Sequence, residues 1–225
     1  HKRSLVIASV FIPFFAVYIL VTAWDWLMSL DPHWYSTMFG WYTFASFWVT
    51  SIAVIVLFVI FLKRKGYLKE VTVNHLHNLG IMMFAFSIFW TYITFCQFML
   101  IWYANIPEET VYFQHRYGHY KPLFYGIFVM NFVLPFLLLM SRDAKRNMNR
   151  LMFVACIIII GHFTDFYLMI MPATVGDNNG FGFLEIGLPC LYIGGLLYVV
   201  FSSLAKAPLI PKNHPFLQES IHNTL

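Results

Sequence analysis

Charged residues are scarce in this chain. Of its 225 residues, 11% are Asp, Glu, Lys or Arg, whereas 60% are hydrophobic and 20% are aromatic. A soluble domain carries about 25% charged and about 45–50% apolar residues. The scarcity excludes an ordinary soluble enzyme, a disordered chain and a collagen-like fibre. With a mean hydropathy of +0.70, the composition predicts a protein that is surrounded largely by lipid.

Cysteine is nearly absent as well. Cys96, Cys156 and Cys190 lie in apolar runs without a CxxC or CxxCH pattern. Zinc sites, iron–sulfur clusters and covalent haem need clustered thiolates or such motifs. His162 is the only histidine well inside an apolar run, so a haem or copper ion held between facing histidines is not expected either. We therefore predict no metal and no redox cofactor in this chain.

Six long apolar runs are present instead. A membrane-spanning helix needs about 20 apolar residues, because each residue adds about 1.5 Å across a hydrocarbon core about 30 Å thick. The runs cover residues 5–24, 40–62, 79–104, 123–140, 151–171 and 187–204. We predict an all-α, polytopic transmembrane bundle of six spans in residues 1–205. The proline-containing tail, residues 206–225, is predicted to be extended and cytoplasmic.

Basic residues predict the orientation of the bundle. Twelve of the fourteen Lys and Arg residues, all but Arg116 and Lys121, fall on one side of the predicted spans. The positive-inside rule makes that side cytoplasmic, together with both ends of the chain. The net charge of +4 is thus spread over several loops, and no nucleic-acid partner is expected.

The fifth run contains the clearest candidate site, in the sequence GHFTDFY at 161–167. His162 and Asp165 are three residues apart and share one helix face, which also carries Gly161. Ionisable groups inside a span are costly and usually functional. An aspartate beside an imidazole can accept and release a proton. The alternative is that both side chains only form hydrogen bonds between helices.

Polar residues inside the spans concentrate toward the outer side. At about 1.5 Å per residue, His162 lies roughly 16 Å and Asp165 roughly 21 Å from the inner edge. Thr94, Gln97, Asn131 and Thr164 are predicted to line a supporting polar pocket near the same depth, whereas the inner half offers only weakly polar groups. This asymmetry predicts an outward-opening pocket or an outer half-channel.

Three stretches resemble a known family. They are DWLMSLDPHWYSTMFG at 25–40, FMLIWYANIPEET at 98–110 and RDAKR at 142–146. These strings resemble the F-subunit family of alternative complex III, a bacterial quinol:cytochrome c oxidoreductase, and the resemblance covers essentially the whole chain. That family is related to the polysulfide-reductase-type membrane subunits. Its members are longer, so this chain resembles their C-terminal part.

The resemblance implies a membrane subunit of a respiratory complex in the bacterial inner membrane. Menaquinol would be oxidised mainly at a paralogous subunit, while c-type haems and iron–sulfur clusters would be held by other partner subunits, with lipids and a terminal oxidase as further contacts. The F subunit carries no redox cofactor and is proposed to help move protons. On this basis Asp165 and His162 are the proton-handling candidates, with Asp25 and Asp31 as further candidates near the exit.

Two other interpretations stay open. The chain could be a purely structural subunit that docks catalytic partners. It could also be an independent transporter, although the prolines at 13, 135 and 189 do not form the paired broken helices that many transporters have.

Overall fold

The structure, a computed structural model, describes residues 2–176, 180, 182–211 and 214–222, and all of the regular secondary structure in these residues is helical. Six helical segments are long and apolar enough to cross a membrane. Five consist mainly of α1 (Lys2–Thr22), α2 (Met38–Arg64), α3 (Val73–Ala104), α8 (Met148–Thr174) and α9 (Phe183–Lys206). The remaining one joins α5 (Lys121–Phe128) to α6 (Leu134–Leu139) through the π-helical turn Val129–Val133. The predicted fold class and the predicted number of spans are therefore confirmed.

The connections between spans are more helical than the sequence predicted. Helix α1 continues through a π-helical turn, Ala23–Leu27, and a 3₁₀ turn, Met28–Leu30. The predicted loop after α3 contains α4 (Pro107–Gly118), which starts with Pro at its first turn and places Glu108 and Glu109 there. Proline suits the first turn of a helix, and acidic residues there complement the helix dipole.

Two short helices complete the chain, α7 (Arg142–Arg146) and α10 (Leu217–Ile221). Part of the predicted extended tail forms α10 and lies against the start of α3, where His75 Nε2 lies 2.9 Å from the carbonyl oxygen of Ser220. Lys212, counted above among the basic residues, lies outside the described residues.

Four spans form the core, and two lie at its edge. Helices α2, α3 and α8 and the α5–α6 segment pack against one another. Helix α1 packs on α2 where Gly40 lets Leu20 approach, and Ile19 is its one buried residue. None of the residues of α9, all of which the structure describes, is buried. Near the end of α9, Phe201 meets Phe58 and Phe61 edge-on, with ring centroids 5.8 Å apart in both cases.

Because consecutive spans run in opposite directions, the helix ends form two sides. We call the side that holds the α2–α3 connection and α7 the basic side, and the side that holds α4 the far side. The side chain of Asn147 caps α8 on the basic side by accepting hydrogen bonds from the backbone of Asn149 and Arg150. Asn105 ends α3 on the far side in the left-handed conformation, with φ of 49°, as helix C-termini often do.

Candidate functional site

The buried apolar residues form two clusters with polar side chains between them. One cluster, toward the far side, includes Trp34, Phe39, Ile127 and Leu168. The other, toward the basic side, includes Val49, Met83, Leu139, Leu151 and Ile158. Between them each core span contributes at least one buried polar residue, and we call these residues the polar layer: Ser46, Ser87, Asn131, His162 and Asp165. The polar layer therefore separates the two apolar clusters.

Asp165 is the most fully bonded member of the polar layer. Its side chain is inaccessible to solvent. The Tyr42 hydroxyl donates to Oδ1, while the Ser46 hydroxyl and the Trp90 indole N–H donate to Oδ2, both at 3.1 Å. Donors from α2 and α3 thus converge on one carboxylate of α8. These hydrogen bonds compensate for its removal from water.

His162 lies one helical turn below Asp165, on the same face as predicted. Its Nδ1 atom is 3.6 Å from Asp165 Oδ2, and its ring meets the Trp90 ring edge-on at 5.4 Å between centroids. The imidazole is 1% exposed. Neither ring nitrogen has a hydrogen-bond partner among the described residues. The imidazole therefore keeps both its proton-accepting and its proton-donating capacity.

Asn131 faces α8 from the π-helical turn. It is fully buried, and its amide oxygen and nitrogen have no partner in the part of the chain that the structure describes. A Cβ atom added at Gly161 would overlap Asn131 Oδ1 and would lie 2.9 Å from Met130 Cβ. Gly161 thus allows the close approach that its place on the helix face predicted. π-Helical turns are frequent at functional sites.

A small cavity adjoins Asp165 on its far side. Its volume is about 30 Å³, which is room for one or two water molecules. Its polar lining residues are Tyr42, Thr94, Gln97, Tyr112, Arg116 and Asp165. The predicted outward polar pocket therefore has a counterpart in the structure, but it is a compact cavity rather than a long half-channel.

Arg116 closes the cavity toward the far side. Its Nε and Nη2 atoms donate to the carbonyl oxygens of Leu168 and Met169, both at 3.1 Å. The Leu168 carbonyl needs a donor because its usual helical partner would be the N–H of residue 172, which is a proline. Arg116 is 3% exposed. It also lies 4.0 Å from a carboxylate oxygen of Asp31.

Aromatic rings complete this closure. The Arg116 guanidinium carbon lies 3.3 Å from the ring centroid of Tyr112, and the Trp34 ring stacks on Tyr112 at 3.7 Å and 12°. Burial raises the pKa of Tyr112, although Arg116 opposes the shift, so the phenol stays neutral at physiological pH. Trp34 is 4% exposed and belongs to the core instead of only anchoring the chain at the membrane surface.

Some of the other predicted residues lie at the site, and others lie away from it. Thr94 and Gln97 line the cavity with Asp165, and Asp31 reaches the site through Arg116. Asp25 is exposed in the π-helical turn after α1. The Thr164 hydroxyl donates to the Ile160 carbonyl at 2.9 Å within its own helix and does not line the cavity.

Several important residues were missed by sequence reasoning. Tyr42 and Trp90 were not singled out because isolated aromatic residues are common in apolar runs. Arg116 was assigned to an outer loop, although Pro172 in the opposing helix signals a free carbonyl that needs a donor. Lys145, predicted only as one of the basic residues between spans, is 8% exposed and donates to the Leu139 carbonyl at 2.8 Å.

The site brings together groups that can each accept or donate a proton. Within the described ranges, no group of three or more His, Cys, Asp or Glu residues is placed to hold a metal ion. The assembled groups are a carboxylate, an imidazole with both nitrogens unpaired, three donors and an adjoining cavity. Proton transfer needs an acid or base within about 3 Å of its partner, directly or through one water molecule, and the Asp165–His162 pair lies close to this range.

Six candidate membrane spans and the buried polar layer define the class of this chain, which is a multi-pass helical membrane protein. No protein-family model and no curated protein sequence matches it.

Proposed function

We propose that this chain is a membrane subunit of a respiratory quinol:electron-acceptor oxidoreductase of the alternative complex III type, and that its Asp165 site handles protons. The observation that carries the proposal is the buried carboxylate of Asp165, which three donors hold in an apolar bundle beside His162. Burying an ionisable group at this depth in a membrane costs free energy, and such groups are for that reason usually functional.

The geometry supports a short proton relay. A proton that enters through the cavity can bind to a carboxylate oxygen of Asp165. A small rotation of the imidazole would bring His162 Nδ1 from 3.6 Å to hydrogen-bond distance of Oδ2. The proton can then pass to the imidazole, whose Nε2 has no partner among the described residues. The chain itself would supply proton transfer, while electron transfer would take place in partner subunits.

The proposed setting follows from the resemblance of the three stretches quoted above. Menaquinol would be the substrate of the complex. The c-type haems and iron–sulfur clusters would lie in partner subunits, and the membrane would be the bacterial inner membrane with the basic side in the cytoplasm. A terminal oxidase would be a further partner. The uneven distribution of Lys and Arg supports this orientation.

Gentle purification from the native membrane tests the setting. The chain would be isolated through a tag in mild detergent, followed by a visible spectrum and identification of the co-purifying subunits. We expect c-type haem bands together with an iron–sulfur subunit and a paralogous membrane subunit. A colourless, solitary chain in several mild detergents would contradict the proposed complex.

An Asp165→Asn substitution tests the proton role. The asparagine side chain would keep an oxygen acceptor and nearly the same shape, but it could not bind and release a proton. We expect the complex to assemble and its quinol-dependent turnover or proton release to fall about tenfold or more, within the range that acid–base groups contribute. The matched control is Asp143→Asn, an exposed aspartate on the basic side. Normal turnover and proton release in an assembled Asp165→Asn complex would overturn the role.

A docking subunit is the second candidate, and the exposure of α9 favours it. Large apolar residues such as Leu191, Tyr192 and Tyr198 are at least 70% exposed, so this helix has a wide face available to another subunit. If docking is the only function, Asp165→Asn will be silent, whereas removal of residues 207–225 or of the segment 24–34 will break the complex. Intact complexes after both deletions would contradict this candidate.

A further inference from the structure

A separate cavity with two arginines in its lining lies at the basic side, between the end of α2 and the start of α8. Its volume is about 370 Å³, and it is lined by Arg64, Arg146, Asn147, Met148 and Asn149. Ligand pockets typically measure about 300–1,000 Å³. It shares no lining residue with the cavity beside Asp165. It is therefore a separate feature of the molecule.

Among the described residues, the two arginines of this cavity have only neutral hydrogen-bond partners. Arg64 Nη2 donates to Asn149 Oδ1, and Arg146 Nη2 donates to Asn74 Oδ1 at 3.4 Å. Both acceptors are neutral amides. In the described part of the chain, neither guanidinium has a carboxylate oxygen within 4.0 Å. A guanidinium has five N–H donors, so most of the donors of this pair remain available.

One of these donors is already removed from solvent. The Nε atom of Arg146 is buried and has no hydrogen-bond partner among the described residues. A buried donor without an acceptor is unfavourable, because it has lost its hydrogen bonds to water. The cavity thus contains a cationic side chain with one buried donor that lacks an acceptor.

The backbone adds to the positive potential. Met148 and Asn149 begin α8, which is 27 residues long, and Asn147 is its N-cap. The N-terminus of a long helix carries a partial positive charge and attracts anions. The charge of both arginines and the positive end of the helix dipole therefore act on the same cavity.

We propose that this cavity binds a phosphate group, and that its source is the headgroup of an anionic phospholipid. Arginine pairs favour phosphate because their planar forks donate two parallel hydrogen bonds to its oxygens. The site lies where a membrane-length helix ends and another begins, which is the depth of the headgroups. Basic cavities between transmembrane helices bind anionic headgroups in this way. The inference does not depend on the proposed respiratory function.

Lipid retention tests the site. The full chain, with any subunits that accompany it, would be placed in nanodiscs of phosphatidylcholine or of phosphatidylcholine mixed with phosphatidylglycerol, and bound lipid would be measured by native mass spectrometry. We expect one retained phosphatidylglycerol and no comparable retention of phosphatidylcholine. The Arg64→Gln, Arg146→Gln double variant should bind about tenfold more weakly, equivalent to about 1.4 kcal/mol. Lys69→Gln, an exposed basic residue of the same side outside the cavity, should bind like the unaltered protein.

The variants also separate the alternatives. Arg64→Gln alone alters an exposed side chain and keeps the test available if the Arg146 variant fails to fold. Equal phosphatidylglycerol retention by the unaltered protein and by folded Arg64 and double variants would overturn the site. Equal retention of both lipids would also overturn it. Binding of inorganic phosphate that depends on the two arginines, without lipid retention, would support a phosphate site and overturn the lipid source.

Discussion

The carboxylate of Asp165 is the shared acceptor of three buried hydrogen-bond donors. Tyr42, Ser46 and Trp90 all direct their donors to it, and all four residues come from different turns of three helices. A buried donor that loses its acceptor is left with its full desolvation penalty. The carboxylate therefore stabilises the packing of α2 and α3 against α8, in addition to any role with protons.

At the residue scale we predict that Asp165→Ala destabilises the protein far more than Asp165→Asn. Alanine leaves three buried donors unpaired, whereas asparagine keeps one oxygen acceptor. We expect a loss of about 2–4 kcal/mol in the free energy of unfolding for alanine and about half of that for asparagine. Denaturation in detergent, followed by tryptophan fluorescence, measures both losses and also reports on Trp90.

The control for this prediction is Asp25→Ala, because Asp25 is exposed. Its effect should stay within about 0.5 kcal/mol. Equal losses for alanine and asparagine at position 165 would show that the three hydrogen bonds contribute little.

At the scale of single helices, the turn of α8 around Pro172 depends on another helix for a hydrogen-bond donor. Proline has no N–H, so the carbonyl of Leu168 lacks its helical donor. Arg116 of α4 supplies one at 3.1 Å and also binds Met169. This contact fixes α4 over the cavity and joins the far-side connection to the core.

A double-mutant cycle tests that dependence. Arg116→Leu should lower the free energy of unfolding by about 2 kcal/mol, because two carbonyls lose a charged donor. In a Pro172→Ala background the new N–H can satisfy the Leu168 carbonyl, so the same change should have about half that effect. The measurement is denaturation of the four proteins in one detergent. Strict additivity of the two substitutions would contradict the explanation.

Glycine at one helix crossing gives a second prediction at this scale. Gly161→Ala would force its Cβ against Asn131 and Met130, and overpacking in a core costs about 1–3 kcal/mol. Gly195 of α9 has open space around it. Gly195→Ala should therefore be neutral or stabilising by up to about 1 kcal/mol through helix propensity. Thermal unfolding of both variants provides the comparison, and equal destabilisation would contradict it.

At the scale of the whole molecule, four spans bury polar groups and two have largely lipid-accessible surfaces. Helices α2, α3 and α8 and the α5–α6 segment supply every member of the polar layer. Helix α1 has one buried residue and α9 has none. The four-span core therefore defines the site, and the outer two helices offer surfaces to lipid or to other subunits.

Membrane orientation gives the prediction at this scale. Cysteines introduced by Lys69→Cys and Lys121→Cys lie at exposed positions on the basic and far sides. By the positive-inside rule, a membrane-impermeant maleimide added to intact cells should label only the Lys121→Cys variant. Cys96, Cys156 and Cys190 lie inside spans and provide the unlabelled background. Labelling of the Lys69→Cys variant alone would reverse the orientation.

The positions and lengths of the apolar runs were sufficient to predict the spans, because in lipid each span must satisfy its own backbone hydrogen bonds. The pairing of His162 with Asp165 was also predictable, since a spacing of three places both on one helix face. The position of Asn131 near that depth followed from the helical rise. These are local properties, which helix geometry determines once the spans are known.

Contacts between helices could not be predicted from the sequence in the same way. The rotation of each helix about its axis decides whether Tyr42 and Trp90 face Asp165 or lipid, and an apolar run with little periodicity does not reveal it. For the same reason the burial of Arg116 was not predicted, because it depends on Pro172, which is more than fifty residues away in the chain.

The amino-acid sequence was enough to predict an all-helical chain with six membrane-length runs, an uneven distribution of basic residues and one ionisable pair within a span. Which four spans form the core, which donors satisfy Asp165 and where the cavity beside Asp165 and the arginine-lined cavity lie became visible only in the folded structure. The physical reason is that backbone hydrogen bonding and charge act within or beside each span, whereas side-chain packing depends on how separate helices rotate and cross.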